Sequence, residues 1–149
     1  MKTLTPSALA TSLALIFGTA TAAASANTAL PPVEHYGAIA YRTGGVGIDE
    51  AKAMKADAQR YPLTLEFVEQ AGKVGEYSAG ELVKIQGAHN RTVFTAKAGG
   101  PFMLVNLPDG KYRITASDGR YNKVRNVDIA GKTHDRVAFV WPARQVESN

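Results

Sequence analysis

The sequence predicts a mainly β protein, an antiparallel sandwich of seven to eight strands with one short helix over about residues 49–60. Three observations support this fold class. After Pro62, apolar and polar residues alternate at the period of two that is typical of strands. Turn signals separate these short runs, as in sandwiches. Apolar residues recur at helical spacing in one short segment before Pro62.

The stretch Gly99–Ala116, which reads GGPFMLVNLPDGKYRITA, shows the strand pattern most clearly. Its first half is apolar, and in its second half Tyr112 and Ile114 alternate with polar residues. The turn sequence Pro108-Asp109-Gly110 lies between them, where proline presets φ and glycine permits a positive φ. We therefore predict a strand, a tight turn and a second strand, arranged as a β-hairpin or as a corner.

Residues 1–26 have the composition of a secretory signal peptide. Lys2 supplies a positive charge, Ala8–Phe17 is mostly apolar, and Ala24-Ser25-Ala26 is typical of a cleavage site. The apolar run is shorter than the roughly 20 residues that a membrane-spanning helix needs. We expect cleavage after Ala26 and a periplasmic or secreted product, with no membrane span once the leader is removed.

Length, charge and cysteine content exclude several classes of function. The 149 residues correspond to one domain, with a net charge of +4 and no cysteine. This charge is too small to indicate nucleic-acid binding, and the predicted export argues against it further. Without cysteine there is no disulfide, no thiol nucleophile, no cysteine metal site and no lipid attachment at a lipobox. No cofactor is expected.

The first part of the predicted mature chain combines a tail, a strand and the helix. Residues 27–34 are predicted to form an extended tail, and Tyr36–Thr43 a strand. The flexible turn Gly44–Gly47 precedes the helix, for which Asp49 is the predicted N-cap. The apolar residues at helical spacing are Ala51, Met54 and Ala58. Pro62 ends the helical pattern.

Short strands separated by turns make up the rest of the domain. They are predicted, in order, around Leu63–Phe67, Glu81–Gln86, Thr92–Lys97, the two halves of Gly99–Ala116, Val124–Ile129 and Val137–Trp141. Gly72–Gly80 is expected to be a turn-rich connection. The alternation slips at Asn126, which predicts a β-bulge there. The sandwich domain is therefore predicted over residues 35–142, followed by a polar tail over residues 143–149.

Three pieces of the chain between Ser78 and Phe139 follow a known pattern. They are AGELVKIQ, the FxLxxLPxGxY sequence of Phe102–Tyr112, and VDIAGKTHDRVAF. Together they resemble the carboxypeptidase regulatory-like domain, a transthyretin-like (prealbumin-like) β-sandwich, over about half of the mature chain. The resemblance implies the fold and little activity, because such domains usually act as non-catalytic modules.

No catalytic or metal-binding motif emerges from the sequence. Gly44–Gly47 precedes a helix, as a phosphate-binding loop does, but lacks the glycine spacing and the lysine of such loops. Ser78 lacks the elbow sequence of a nucleophilic serine. His35, His89 and His134 lack the spacing of a metal site, although convergence in three dimensions stays open. The C-terminal residues also lack the YRGS or YRGT sequence of hydroxyisourate hydrolases, enzymes of the transthyretin-like fold.

A basic segment supplies the candidate binding residues. Its members are Arg113, Arg120, Lys123 and Arg125, with Tyr121 among them. Alternation places Arg113 on the face opposite Tyr112, and hence outward. The segment is either a solvated face whose charges protect a sheet edge, which is the favoured interpretation, or a surface for an anionic partner. In the second case Tyr121 is the aromatic residue that would stack on a sugar.

These observations predict a non-enzymatic exported module that binds an envelope protein or a glycan. Two alternatives stay open. One is a small periplasmic hydrolase whose site forms only in three dimensions, around His89 or His134. The other is a structural subunit that pairs with a neighbour through an edge strand, and the sequence leaves the oligomeric state undetermined.

Overall fold

The computed structural model describes residues 30–144, which form a β-sandwich of ten strands and one α-helix. The elements are β1 (Glu34–Tyr36), β2 (Ile39–Gly44), α1 (Ile48–Asp57), β3 (Leu63–Ala71), β4 (Val74–Tyr77), β5 (Leu82–Gln86), β6 (Thr92–Lys97), β7 (Phe102–Val105), β8 (Gly110–Ser117), β9 (Asn122–Ile129) and β10 (Asp135–Pro142). The predicted fold class, mainly β with a single short helix, is confirmed. The predicted signal peptide lies outside the described residues.

The strands form two sheets. Sheet I has the order β1-β2-β7-β3-β10, with β4 paired to the end of β3, and sheet II has the order β6-β5-β8-β9. The pairs are antiparallel except for β3 and β10, which run parallel. This one pair differs from the expected antiparallel arrangement because β10 follows β9 of sheet II and crosses back to sheet I. A chain that changes sheets is free to return in either direction, whereas a tight hairpin forces reversal.

The main core lies between the two sheets and is rich in aromatic residues. Phe67, Phe139 and Trp141 are fully buried there, with ring centroids 6.2 Å apart for the first two and 5.9 Å for the last two. Sheet II contributes Phe94 and Ile114, which are also fully buried. Each such side chain stabilises the fold by about 1.5–3 kcal/mol through removal of apolar surface from water.

The stretch Gly99–Ala116 forms a corner, because β7 belongs to sheet I and β8 to sheet II. All four residues of β7 are buried. Met103 and Val105 belong to the core between the sheets, whereas Phe102 and Leu104 pack in a second cluster under α1. An apolar strand without alternation is the expected result of covering both faces of one strand.

The helix α1 covers the outer face of sheet I. Met54 is fully buried against Phe102 and Leu104, and Ala51 and Ala58 pack beside it. The predicted apolar stripe of the helix is therefore confirmed. No helix within residues 30–144 has the length and apolarity needed to cross a membrane.

The predicted N-cap of α1 is wrong. The N-cap is Gly47, whose φ of 83° lies in the left-handed region that glycine tolerates, and it makes no side-chain capping bond. Asp49 instead lies inside the first turn, where its charge complements the helix dipole. Glu50 satisfies the loop before the helix, because its Oε1 accepts hydrogen bonds from the N–H of Gly45 (2.7 Å) and of Val46 (3.3 Å).

Two short strands account for the difference between ten strands and the seven or eight expected. The strand predicted over Tyr36–Thr43 corresponds to β2, and β1 begins earlier, at Glu34 of the predicted tail, and ends at Tyr36 before a turn at Gly37, where φ is 58°. The segment Gly72–Gly80 contains β4. All residues of β1 and β4 are exposed, so neither strand has the alternation by which a half-buried strand is recognised.

The bulge predicted at Asn126 is absent, and the β8–β9 register runs without interruption from Gly110 to Ser117. Val124 simply faces outward, whereas Val127 packs against the core. The irregularity in sheet II lies instead between Ile85 and Gln86 of β5.

The described part of the predicted N-terminal tail is anchored. Leu30 packs against the cluster under α1, and the Arg42 guanidinium donates a 2.6 Å hydrogen bond to the carbonyl of Pro31. At the other end, the N–H of Ala143 donates to the carbonyl of Gln70 at 3.0 Å, which extends the β3–β10 pairing into the predicted C-terminal tail.

Candidate functional site

A concave groove opens between α1 and the end of β4. We call it the α1–β4 groove, and its lining consists of Gly45–Ile48, Ala51, Lys52, Lys55, Tyr77–Ala79 and Pro101. Its volume is about 570 Å³. This volume falls within the range of about 300–1,000 Å³ that is common for sites that hold a small molecule.

The groove exposes large apolar side chains. The exposed fraction is 63% for Val46, 75% for Ile48 and 51% for Tyr77. One exposed apolar side chain is ordinary on a protein surface. Three of them around one concavity form an apolar patch, which is the surface type associated with binding.

Glycines of the loop before α1 shape the first wall of the groove. Gly45 has a φ of 99°, and a Cβ atom there would lie 2.5 Å from the Phe102 ring, so this close approach requires glycine. The Glu50 carboxylate already occupies the N–H groups of Gly45 and Val46. A phosphate would compete with this negative charge for the same donors, and the loop is therefore a structural turn rather than a phosphate cradle.

The second wall is fixed to sheet I through β3. The N–H of Ser78 donates to the carbonyl of Phe67 at 3.1 Å, and the N–H of Phe67 donates to the carbonyl of Pro101 at 2.9 Å. The Tyr77 ring lies 5.2 Å from the Phe102 ring in a tilted arrangement. These contacts hold the wall in place without any ligand.

Two lysines make the helix side of the groove positive. Lys55 Nζ lies 5.6 Å from the centroid of the Tyr77 ring and 5.5 Å from that of Phe102, within cation–π range. Neither Lys52 nor Lys55 forms an ion pair with any residue between 30 and 144. Their charges are therefore available to an acidic group of a ligand.

The Ser78 hydroxyl is hydrogen-bonded to a buried carboxylate rather than to a catalytic base. Its hydroxyl donates a short hydrogen bond to Oε1 of Glu81, a residue that is only 2% exposed. Glu81 Oε2 is buried with no hydrogen-bond partner in the part of the chain that the structure describes. Within residues 30–144 no hydrogen bond links a histidine to a serine or to a carboxylate, and His134 Nδ1 instead lies 2.9 Å from the carbonyl oxygen of Tyr61.

His89 lies at one end of the sandwich, away from the groove. It lines a depression with Asp109 and Lys111, and no serine contributes to this lining. His89 and the following Asn90 have φ values of 58° and 55°, a strained conformation for residues other than glycine. Among residues 30–144, no three histidine, aspartate or glutamate side chains are grouped to hold a metal ion.

The structure separates the predicted basic residues. Arg113 lies on the outer face of sheet II, level with Gln86 on β5 and Asn126 on β9. Lys123 and Arg125 are on the opposite face of β9, at the side of the sandwich, and the Arg125 guanidinium lies 5.9 Å from the Phe139 ring centroid. These three residues therefore do not form one surface, and their role in binding a partner stays a prediction.

Arg120 and Tyr121 belong to the turn between β8 and β9, where Arg120 forms ion pairs with two carboxylates. The Arg120 guanidinium lies 2.7 Å from Asp118 Oδ2 and 3.4 Å from Glu69 Oε1. It also lies 5.5 Å from the centroid of the Tyr121 ring, within cation–π range. A sugar that stacked on that face of Tyr121 would have to displace Arg120.

Asp118 is buried in this turn and is hydrogen-bonded on both oxygens. Burial by itself would raise the pKa of the Asp118 carboxyl, but it is outweighed by hydrogen bonds from the N–H groups of Tyr121 and Arg120 and by the Arg120 guanidinium. The pKa of Asp118 therefore lies below its ordinary value of 3.8. The turn is a built structural feature, because a carboxylate with several donors is stabilised in its charged form.

No family model and no curated protein matches this chain. The resemblance of the three pieces between Ser78 and Phe139 to the carboxypeptidase regulatory-like domain therefore stays a prediction.

The groove was not identified from the sequence. One local signal was present, since Ile48 lies on α1 but outside the stripe of apolar residues that packs on the sheet. An apolar residue on the solvent side of an amphipathic helix is a candidate contact residue. Tyr77 gave no such signal, because its strand was assigned to a connection.

Proposed function

We propose that this protein is an exported, non-enzymatic binding module whose α1–β4 groove receives an apolar segment of an envelope protein. The observation that supports this proposal is the exposure of Val46, Ile48 and Tyr77 around one preformed concavity. In this proposal the predicted leader, residues 1–26, directs the export of the protein. Binding rather than catalysis is proposed because the polar groups beside the groove, such as the Ser78 hydroxyl, are already engaged in structural hydrogen bonds.

A protein partner fits the groove better than a glycan. Apolar anchors that enter a pocket supply most of the binding energy at protein interfaces. A glycan requires an aromatic platform and many polar partners, whereas the groove walls are mainly apolar. Tyr121, the aromatic residue first expected to stack on a sugar, has the Arg120 guanidinium beside its ring.

The experiment is site-specific photo-cross-linking in cells that make the protein naturally. A benzophenone amino acid replaces Ile48 in one variant and Val124 in a control variant. Val124 is also an exposed apolar residue, but it lies on the outer face of sheet II. We expect one defined protein adduct from position 48 and none of the same mass from position 124.

Equal adduct patterns at the two positions would contradict the proposal. So would binding to purified cell-wall glycan that the substitution Ile48→Asp abolishes, because the groove would then hold a glycan rather than a protein segment. A folded Ile48→Asp protein is expected, since Ile48 is 75% exposed and lies outside both hydrophobic clusters.

A further inference from the structure

The strand β4 has a free edge beside the groove. Strand β7 begins at Phe102 and its neighbour β2 ends at Gly44, whereas β3 continues to Ala71. Beyond Glu66, β4 occupies the place next to β3, and among residues 30–144 no further strand pairs with β4. This leaves a notch in sheet I, with the edge of β4 along one side of it and the α1–β4 groove at its end.

The register of β3 and β4 determines which backbone groups lie on this edge. In an antiparallel pair, alternate residues direct both their N–H and C=O groups towards the partner strand. The N–H of Ser78 donates to the carbonyl of Phe67 in β3. The backbone N–H and C=O groups of Glu76 and Val74 therefore also point towards β3. Gly75 and Tyr77 then direct their N–H and C=O groups away from β3, and within residues 30–144 these groups form no other backbone hydrogen bond.

Other edge strands of the sandwich lie against an edge strand of the opposite sheet. β1 lies against β6 at one side of the sandwich, and β9 lies against β10 at the other. The edge of β4 combines three features at one place, namely outward backbone groups, the apolar groove, and the two lysines of α1.

We propose that the partner segment binds as an added β-strand along the free edge of β4, with apolar and acidic side chains on the face that meets the groove. This inference rests on the proposed function and specifies the chemistry of its partner. Backbone hydrogen bonds to Gly75 and Tyr77 hold the added strand, as in other cases of strand addition. Because side chains on one face of a strand recur at every second residue, one apolar side chain fills the groove while an Asp or Glu two residues away meets Lys52 or Lys55.

The probe is a phage-displayed library of random linear ten-residue peptides, selected on the processed protein. We expect enriched peptides with an apolar residue and an acidic residue two positions apart. A synthetic enriched peptide is then methylated at one backbone nitrogen at a time, which removes one N–H without changing the protein. Strand addition predicts a period of two, with loss of binding of about tenfold or more at alternate positions and little change at the positions between.

Variants of the protein provide the matching test. Gly75→Pro removes an outward N–H and is expected to weaken binding about tenfold, whereas Gly75→Ala keeps this group and is expected to change binding less than about threefold. The alanine control requires a small adjustment, because its Cβ would lie 3.0 Å from Val68 Cγ1. The double substitution Lys52→Glu with Lys55→Glu is expected to weaken binding of the acidic peptides. The substitution Ile48→Asp is expected to weaken binding of all the enriched peptides.

The outcomes separate this inference from the proposed function. Methylation effects without a period of two, or enrichment of helical peptides, would overturn strand addition, while loss of binding in Ile48→Asp would still support the groove. Failure to enrich any peptide, or peptides that bind Ile48→Asp normally, would overturn both. Dimerisation of the processed protein that Gly75→Pro abolishes would assign the edge to a second copy of the chain instead.

Discussion

The hydroxyl of Tyr112 donates a 2.8 Å hydrogen bond to the carbonyl of Pro108, four residues earlier in the chain. This bond spans the corner at which the chain passes from β7 in sheet I to β8 in sheet II. A tyrosine hydroxyl that bonds back to the nearby backbone is a recurrent device for fixing such corners in sandwiches. The corner is therefore stabilised by the same residues that gave the sequence its most recognisable pattern.

The substitution Tyr112→Phe is expected to lower the free energy of unfolding by about 1 kcal/mol, the usual net contribution of one hydrogen bond. Urea denaturation measures this change. Tyr36→Phe is the matched control, because the Tyr36 hydroxyl makes no hydrogen bond within the part of the chain that the structure describes. An equal effect of the two substitutions would show that the Tyr112 bond has no role in holding the corner.

Asp118 is expected to make the protein sensitive to acid. Because its folded-state pKa lies below the ordinary value of 3.8, its charged form stabilises the fold above about pH 4, and this contribution disappears as the pH falls through the folded-state value. Asp118→Asn should therefore cost about 2 kcal/mol at pH 7, from the loss of charged hydrogen bonds, and less at pH 3.

Urea denaturation of wild type and Asp118→Asn at both pH values tests this prediction. Asp128→Asn serves as the control, since Asp128 is exposed on β9 and forms no ion pair within residues 30–144. A difference between wild type and Asp118→Asn that stays constant from pH 7 to pH 3 would contradict the expected linkage.

Met54→Ala is expected to destabilise the protein by about 2–4 kcal/mol, because it leaves a cavity between α1 and sheet I. Met54 is fully buried, whereas Ile48, six residues earlier on the same helix, is 75% exposed. Ile48→Ala should therefore change stability by less than about 0.5 kcal/mol. Thermal unfolding of both variants provides the comparison, and similar losses would place the packed face of α1 elsewhere.

Gly100→Ala is expected to cost more than about 2 kcal/mol or to prevent folding, because the added methyl group meets rigid backbone. A Cβ at Gly100 would lie 2.3 Å from the carbonyl oxygen of Gly44, whereas one at Gly99 would lie 3.4 Å from its nearest neighbour, Thr43 Cγ2. Gly99→Ala is thus the control. The yield of soluble protein and urea denaturation measure the effect, which is contradicted if Gly100→Ala unfolds like Gly99→Ala.

The processed protein is expected to begin at Asn27. Intact-mass measurement of the exported product tests this, and Ala26→Leu should block processing because the cleavage site requires small residues. Ala29→Leu, three residues beyond the site, should be processed normally. A product that keeps Met1 in the exported fraction would contradict the predicted leader.

Local patterns in the sequence predicted most strands correctly. The alternation of Leu63, Leu65 and Phe67 identified the inner face of β3, and all three side chains are fully buried. The helix stripe was predicted for the same reason. Such patterns succeed because burial of one face repeats at the period of the element itself.

The groove depended on information that such periods do not contain. Ile48 and Tyr77 belong to different elements, separated by the whole of β3, and only folding brings them to one concavity. The basic segment failed as a single surface for a related reason. Successive residues of a strand point to opposite faces, and Arg120 is bound to Glu69, 51 residues earlier in the chain.

By itself, the sequence determined the fold class, the buried face of most strands and the position of the turn at Pro108–Gly110, because these follow from neighbours along the chain. Tertiary structure alone decided that β10 runs parallel to β3, that β4 keeps a free edge, and that a groove opens beside it. The reason is physical. The choice of partner for each strand depends on packing between residues distant in sequence, and this packing leaves no periodic mark in either segment.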